Sequence, residues 1–280
     1  MPILVAILSL ILAILSGLLG SLLGLGGGVI LVPLLVLLLH LPIHTASAAS
    51  IFAVVATSTA STSNYMREGL TNLRLGVFLE LSTTLGAISG ALITAAVGES
   101  LLRVILGVIL IYAAVTMFKK IGEWRPHASD GLASKLRLDG SYYDRAEGVE
   151  VSYGVDNTPA VLLLSYLAGV ISGLLGIGGG GIKVPAMNLL GGVPIKAAVA
   201  TSSFMIGITA AAAAIIYMRQ RYCNPIIAAS VVLGALLGAS IGSRITPRVR
   251  GRTLKLLFTI LLIILGLRMI HSGVGLWMRR

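Results

Sequence analysis

The sequence predicts an all-α polytopic membrane protein made of two homologous repeats of about five helical segments each. Three observations carry that prediction. The chain is too apolar for water: 56% of its 280 residues are hydrophobic, 11% are charged and the mean hydropathy is +0.99, so the bilayer is its solvent. Its apolar stretches recur at the length a helix needs to cross a hydrocarbon core ~30 Å thick, roughly 20 residues at ~1.5 Å rise each. The chain also repeats itself at a fixed offset of 152: Pro33 returns as Pro185, Ser50 as Ser202, Tyr65 as Tyr217, Gly86 as Gly238 and Met117 as Met269, without a gap. Between Gly17 and Phe52, 18 of 36 positions are identical to their partners, far more than shared hydrophobicity produces.

Each repeat begins with an apolar segment that ends in a glycine run (3–23 and 160–175) and continues with a short one (29–40 and 182–190). Three longer segments follow (44–65, 73–97 and 101–118; 196–218, 224–245 and 254–272). No Lys or Arg precedes the first segment and its hydrophobicity runs far on, which favours a retained helix over a signal peptide. The repeats occupy 1–118 and 159–280. Between them, 119–158 holds seven of the ten acidic residues and is the one sizeable aqueous segment. Within it Val149, Val151, Tyr153 and Val155 alternate with polar or small residues, a strand pattern that predicts a hairpin with 135–145. That segment has no catalytic constellation.

The formal charge of +11 does not point to nucleic acid, because the basic residues punctuate apolar runs instead of gathering on one face. The single cysteine, Cys223, excludes an intrachain disulfide and supplies no metal cluster. No cofactor motif is present. The expected partners are the lipid bilayer and a small anionic substrate, and a homo-oligomer is compatible with both.

The glycine runs carry the functional argument. Hydrocarbon cannot satisfy free backbone N–H and C=O groups, so a helix rarely breaks where lipid touches it. Gly24, Gly26, Gly27 and Gly28, and Gly176, Gly178, Gly179, Gly180 and Gly181, are consecutive enough to break one. Each run is followed by a proline, Pro33 five residues past Gly28 and Pro185 five past Gly180. Interrupted segments at matching places in two halves are the best sequence pointer to a transporter's binding site. A helix that restarts there aims unpaired N–H groups and its positive dipole end into the gap, which favours an anion. Close helix packing of the GxxxG kind is the structural alternative. A nucleotide-binding loop fails, since no Gly-Lys-Ser/Thr follows, no strand precedes and no acidic residue lies ~20 positions on.

Polar residues within the apolar blocks extend the candidate site. Lys183 lies in the first turn after the second run, where it either faces a cavity or snorkels to the surface. Ser50 and Ser202, offset partners next to the breaks, and Thr201 beside Ser202 are candidate substrate contacts, although such hydroxyls also bond neighbouring carbonyls. Glu80 is the acidic residue deepest in an apolar segment and a candidate proton-coupling group; a pair with Arg74, two turns away, is the alternative. Lys196 and His44, also offset partners, read as interfacial.

The stretches LGLGGGVILVP, GIGGGGIKVPAMNLLGGVPIKAAVATSSF and LRLDGSYYD resemble the TauE/SafE group of sulfite exporter-type membrane transporters, over essentially residues 1–275. The resemblance implies secondary transport of sulfur-containing anions such as sulfite or organosulfonates. By motif match it carries over Gly24, Gly26–Gly28 and Pro33, Gly176, Gly178–Gly180 and Pro185, and Thr201 with Ser202. The first half departs from the Thr-Ser pair, having Ala49 before Ser50. An anion channel would use the same helix ends. An intramembrane enzyme would need a nucleophile with its base, or a metal cluster, and the apolar blocks hold neither pattern.

Loop charges predict a multi-pass protein of the cytoplasmic membrane. Residues 66–74 and 119–158 carry eight Lys/Arg against one in 97–103, which places the central segment in the cytoplasm. The count does not separate inverted from parallel repeats, 13 basic residues inside against 5 or 12 against 6. Inverted repeats are preferred because one site can then open to either side in turn. Cysteine-accessibility labelling checks this: a label at position 130 is expected to react only from the cytoplasm and one at the C-terminus only from outside.

Overall fold

The helix boundaries follow from local chemistry in a computed structural model that describes residues 2–118, 129–145, 148–245 and 251–278. Helix α1 (Pro2–Leu22) precedes the first glycine run and α2 (Gly28–Leu38) follows it. Pro42 then turns the chain into α3 (Ile43–Arg67). The Asn72 side chain accepts from the Leu75 amide at 3.0 Å and starts α4 (Leu73–Thr94), ahead of α5 (Glu99–Phe118). A short α6 (Gly131–Leu136) and a two-stranded hairpin, β1 (Gly140–Asp144) and β2 (Val149–Tyr153), make up the central segment. The second half holds α7 (Thr158–Leu175), α8 (Gly180–Pro185) running on as a π-helical turn over Ala186–Leu190, α9 (Ile195–Arg219), α10 (Pro225–Ile245) and α11 (Gly251–Trp277). Among the described residues eight helices are long and apolar enough to cross a membrane.

At both glycine runs the chain reverses. Gly24, Gly26 and Gly27 have φ of +67°, +74° and +75°, and Gly176, Gly178 and Gly179 have +67°, +81° and +72°, a region that Cβ-bearing residues avoid. A methyl on Gly27 would stand 2.9 Å from the Ser16 carbonyl oxygen, and one on Gly179 2.8 Å from that of Ala168. The returning helix therefore lies back along the incoming one, and each run is the tip of a helical hairpin that leaves on the side it entered.

Three helices follow each hairpin, an odd number, so the next half starts from the opposite side. The packing agrees. Helices α3 and α9 run antiparallel: His44 near the start of α3 stacks on Tyr222 beyond the end of α9, with ring centroids 4.9 Å apart. At the other end, Thr201 in α9 accepts the amide of Asn72 beyond the end of α3 at 3.0 Å. Helices α5 and α11 are antiparallel too, with Ser100 bonded to the Gly273 carbonyl and Gly107 laid against that of Gly266. Helices α1 and α10, and likewise α4 and α7, run side by side in the same direction, and Gly234 and Gly238 meet Leu10 and Ile14 just as Gly86 and Gly90 meet Tyr166 and Val170. Small-residue packing thus operates at these seams, while the glycine runs make the hairpin tips.

The central segment is a cap on one side of the bundle. Its apolar face, Leu138, Tyr142, Tyr153 and Val155, packs on Leu75, Leu79, Val184 and Met187. Asn72 donates to the Leu138 carbonyl at 2.8 Å, and Lys196 binds Asp144 at 2.6 Å. Strand pairing runs from Gly140 opposite Tyr153 to Asp144 opposite Val149. It is narrower than the alternation predicted, because residues 135–136 belong to α6 and the Val155 carbonyl instead accepts the Asp130 amide. The Asp130 carboxylate accepts from the amides of Ala133 and Thr158, both at 2.7 Å. Burial pushes that carboxyl up, but these bonds outweigh it and hold it below the usual carboxylate range, so its stabilisation is present at neutral pH and fades as pH falls through the lowered value. The charged stretch 119–128 lies outside the described residues.

Asp130 fastens two helix starts, so the exposed Glu150 is the better site for the accessibility label. Gly90→Leu or Gly238→Leu is expected to lower the thermal midpoint in detergent, overpacking costing about 1–3 kcal/mol or more. Gly98→Ala, which faces open space, should leave the midpoint in place.

Candidate functional site

The two hairpin tips touch. A methyl on Gly28 would stand 2.9 Å from the Gly176 carbonyl oxygen and the Ile177 Cα, and one on Gly180 would stand 2.6 Å from the Gly24 carbonyl oxygen. Val54 of α3 and Ile206 of α9, offset partners, close over both tips: each comes within 3.3 Å of the Cβ position of Gly26 and within 2.9 Å of that of Gly178. Gly26–Gly28 and Gly178–Gly180 therefore form one locus filled by two branched aliphatic side chains. Gly181 is set off toward Ala113. Ile30 and Leu31 donate to the Gly27 carbonyl, and Ile182 and Lys183 to that of Gly179, so the glycine amides ahead of them are the orphan donors of the two helix starts.

The incoming helices end inside the protein, and their last carbonyls find side chains. Tyr65 donates to the Ser21 carbonyl at 2.9 Å; its offset partner Tyr217 donates to those of Gly173 and Leu174, both at 3.0 Å. Ser50 reaches across to the other half and donates to the Gly176 carbonyl at 2.9 Å. That bond spends its proton on the break itself, and Thr201 likewise ties α9 to the start of α4. Ser202 differs: it is fully buried and its hydroxyl has no partner among the described residues. Pro33 and Pro185 lie inside the returning helices, and only Pro185 leads into a π-turn, a distortion frequent at functional sites.

Lys183 does not snorkel. It is 0% exposed, its ammonium donates to Thr209 Oγ1 at 2.8 Å, and it stands 3.7 Å from Glu80 Oε2. Glu80, 5% exposed, accepts on Oε1 from Thr209 at 2.6 Å and Thr84 at 2.7 Å. The sequence placed both residues in the membrane blocks but missed that they pair, since they lie on α4 and α8 of different halves; Arg74, the neighbour along the chain, is exposed. A buried charge needs a partner and further hydrogen bonds to be tolerable, and Thr209 and Thr84 supply the latter. The offset partners of Lys183, Glu80 and Thr84 are Leu31, Val232 and Leu236, so this charged cluster, built from both halves, has no counterpart at the offset positions. Lys196, with its side chain 44% exposed, pairs with Asp144 of the cap, and His44 contacts the Thr94 carbonyl at 3.2 Å.

Ser50→Ala is expected to lower stability by about 1–3 kcal/mol, the cost of an orphaned buried acceptor. Ser202→Ala should cost less than half of that, as measured by thermal unfolding in detergent.

The family model for the sulfite exporter TauE/SafE matches residues 9–269. The probable membrane transporter protein YunE of Bacillus subtilis (strain 168) is 27% identical over 258 residues, 89% of this chain and 91% of that protein. The probable membrane transporter protein YdhB of the same organism is 24% identical over 211 residues, 75% and 78% of the two chains. Sulfite exporter TauE/SafE family protein 5 of Arabidopsis thaliana is 31% identical over 90 residues, 32% of this chain and 16% of that one. No solved structure matches the chain. With a hydropathy that only a bilayer accommodates, eight helices among the described residues able to cross it, and a family match over residues 9–269, this chain is an integral multi-pass membrane protein that belongs to the TauE/SafE family of membrane transporters.

Proposed function

We propose that the protein is a secondary carrier that moves a small anion, a sulfur oxyanion or organosulfonate, by alternating access, with the substrate held where the hairpin tips meet. The observation that carries this reading is Lys183: a fully buried lysine in the first turn after the second tip, in a protein whose solvent is lipid. Its charge, the tip amides of Gly26–Gly28 and Gly178–Gly181, and the unpartnered hydroxyl of Ser202 are the groups that recognise an anion. Ser50 and Thr201 hold the backbone around them. The names of the relatives, membrane transporter and sulfite exporter, support the class of substrate.

The antiparallel packing of offset-paired helices supports two inverted units, 1–118 and 159–280, that rock about the contact of α3 with α9 and uncover the site from either side. Val54 and Ile206 are then the central gate. With the basic loops inside, the cap lies in the cytoplasm of a cell whose cytoplasmic membrane holds the carrier.

Uptake of labelled sulfite, sulfate and sulfonates by proteoliposomes tests the proposal, and saturable flux is expected. Lys183→Ala should lose tenfold or more of that flux per folded molecule, about 1.4 kcal/mol of lost stabilisation, while Lys196→Ala loses less. Non-saturating conduction would make the protein a channel, and equal flux in Lys183→Ala would remove that residue from the site.

A further inference from the structure

We infer that Glu80 makes the carrier electroneutral: its carboxylate takes up one proton for each monovalent anion that Lys183 binds, so that anion and proton cross together. The inference rests on the anion-carrier reading and adds its stoichiometry and substrate charge.

The two oxygens of Glu80 are unequal. Oε1 accepts the hydroxyls of Thr84 and Thr209, whereas Oε2 is buried, has no hydrogen-bond partner among the described residues and lies 3.7 Å from Lys183 Nζ. The ammonium has three protons to donate, and Thr209 accepts one of them. Ion-pair contact here is long on both sides, with a free lone pair on Oε2 and free donors on Nζ. An anion drawn to Lys183 therefore meets unused donors, and a proton arriving at Oε2 displaces no existing bond.

The surroundings enforce the balance. The cluster is buried and has no second copy, because the offset partners of Lys183 and Glu80, Leu31 and Val232, are apolar. Helices α7 and α9 pack on α4. Of their titratable groups, Tyr166 is exposed, Lys196 is engaged by Asp144, Tyr217 caps the end of α7, and Arg219 ends α9. On α4 itself Arg74 is exposed, and Tyr153 of the cap contacts Asn72. Among the described residues, then, Lys183 is the only cation that an interaction joins to Glu80.

Without substrate the pair carries −1 and +1. A bound monoanion would leave a net −1 in a medium that penalises unbalanced charge heavily, and two anions against one ammonium repel each other. One proton from the aqueous phase closes an O–H bond on Oε2 and returns the site to zero; it leaves for the other aqueous phase when the anion does. The empty and the loaded carrier thus both cross neutral. A dianion would need two protons where only one acceptor stands, so the site selects monoanions.

Proteoliposomes of the full chain, with labelled methanesulfonate as the probe, test this directly. Methanesulfonic acid is fully dissociated, so leakage of its neutral acid does not imitate symport. With the interior more alkaline by about one pH unit, the wild type should accumulate the probe about tenfold, the ratio that one pH unit sets for a one-to-one symport. Clamping the membrane at ~100 mV should leave that ratio unchanged, whereas transfer of one net charge would alter it about fiftyfold. Glu80→Gln should abolish the pH-driven accumulation while internal probe still exchanges for external probe. Because the variant leaves a buried ammonium unbalanced and its folding is at risk, voltage independence of the wild type stands as the readout that needs no substitution. Saturable flux that follows voltage, or pH-driven accumulation undiminished in Glu80→Gln, overturns the inference and leaves the carrier reading standing. Absence of any methanesulfonate or sulfite flux above protein-free vesicles overturns the carrier reading itself.

Discussion

Every feature of this molecule answers to one constraint: in hydrocarbon, a backbone amide or carbonyl without a partner costs several kcal/mol, as a rough figure. Two helices nevertheless end inside the protein, and the structure shows what makes that tolerable. Tyr65, Tyr217, Ser50 and Thr94 bond the carbonyls at the ends of α1 and α7. Glycines at positive φ turn the chain at once into the returning helix. The carbonyls of Ser21, Gly173, Leu174 and Gly176 are answered by these side chains, whereas a helix start leaves its first amides without intrahelical partners, and the two starts lie close to the contact between the halves. On the carrier proposal it is this meeting of helix starts that suits an anion better than a cation.

The same constraint sets the architecture. A hairpin that returns to its own side contributes no crossing, so three long helices set the direction in which the second half starts, and the antiparallel run of α3 against α9 is what supports inverted halves. Charge counting could not reach that result, because the two arrangements differ by a single basic residue on each side. The direction of α3 against α9 favours the inverted one, through contacts such as His44 with Tyr222 at one end and Thr201 with Asn72 at the other.

What was legible in the sequence was whatever recurs or whatever a local rule dictates. The all-helical membrane class followed from composition and the location of the breaks from the glycines. The Lys183–Glu80 pair was not legible, since 103 positions separate the two residues and nothing in either local stretch points to the other. One signal did exist: each is the charged member of an offset pair whose other member is apolar, and two opposite, unmatched charges in membrane blocks have reason to find each other. Ser50 was legible as important but not its partner, because a hydroxyl that satisfies a buried carbonyl and one that binds a substrate look alike in a sequence, and the Gly176 carbonyl it reaches lies 126 positions away.

If one site between inverted halves opens to each side in turn, side-resolved labelling of Val54→Cys and Ile206→Cys in a Cys223→Ser background will show it. In sealed vesicles a membrane-impermeant thiol reagent is expected to reach each position from either side, and a saturating transported anion to protect both. Reaction from one side only, or reaction that the anion leaves unchanged, would contradict it.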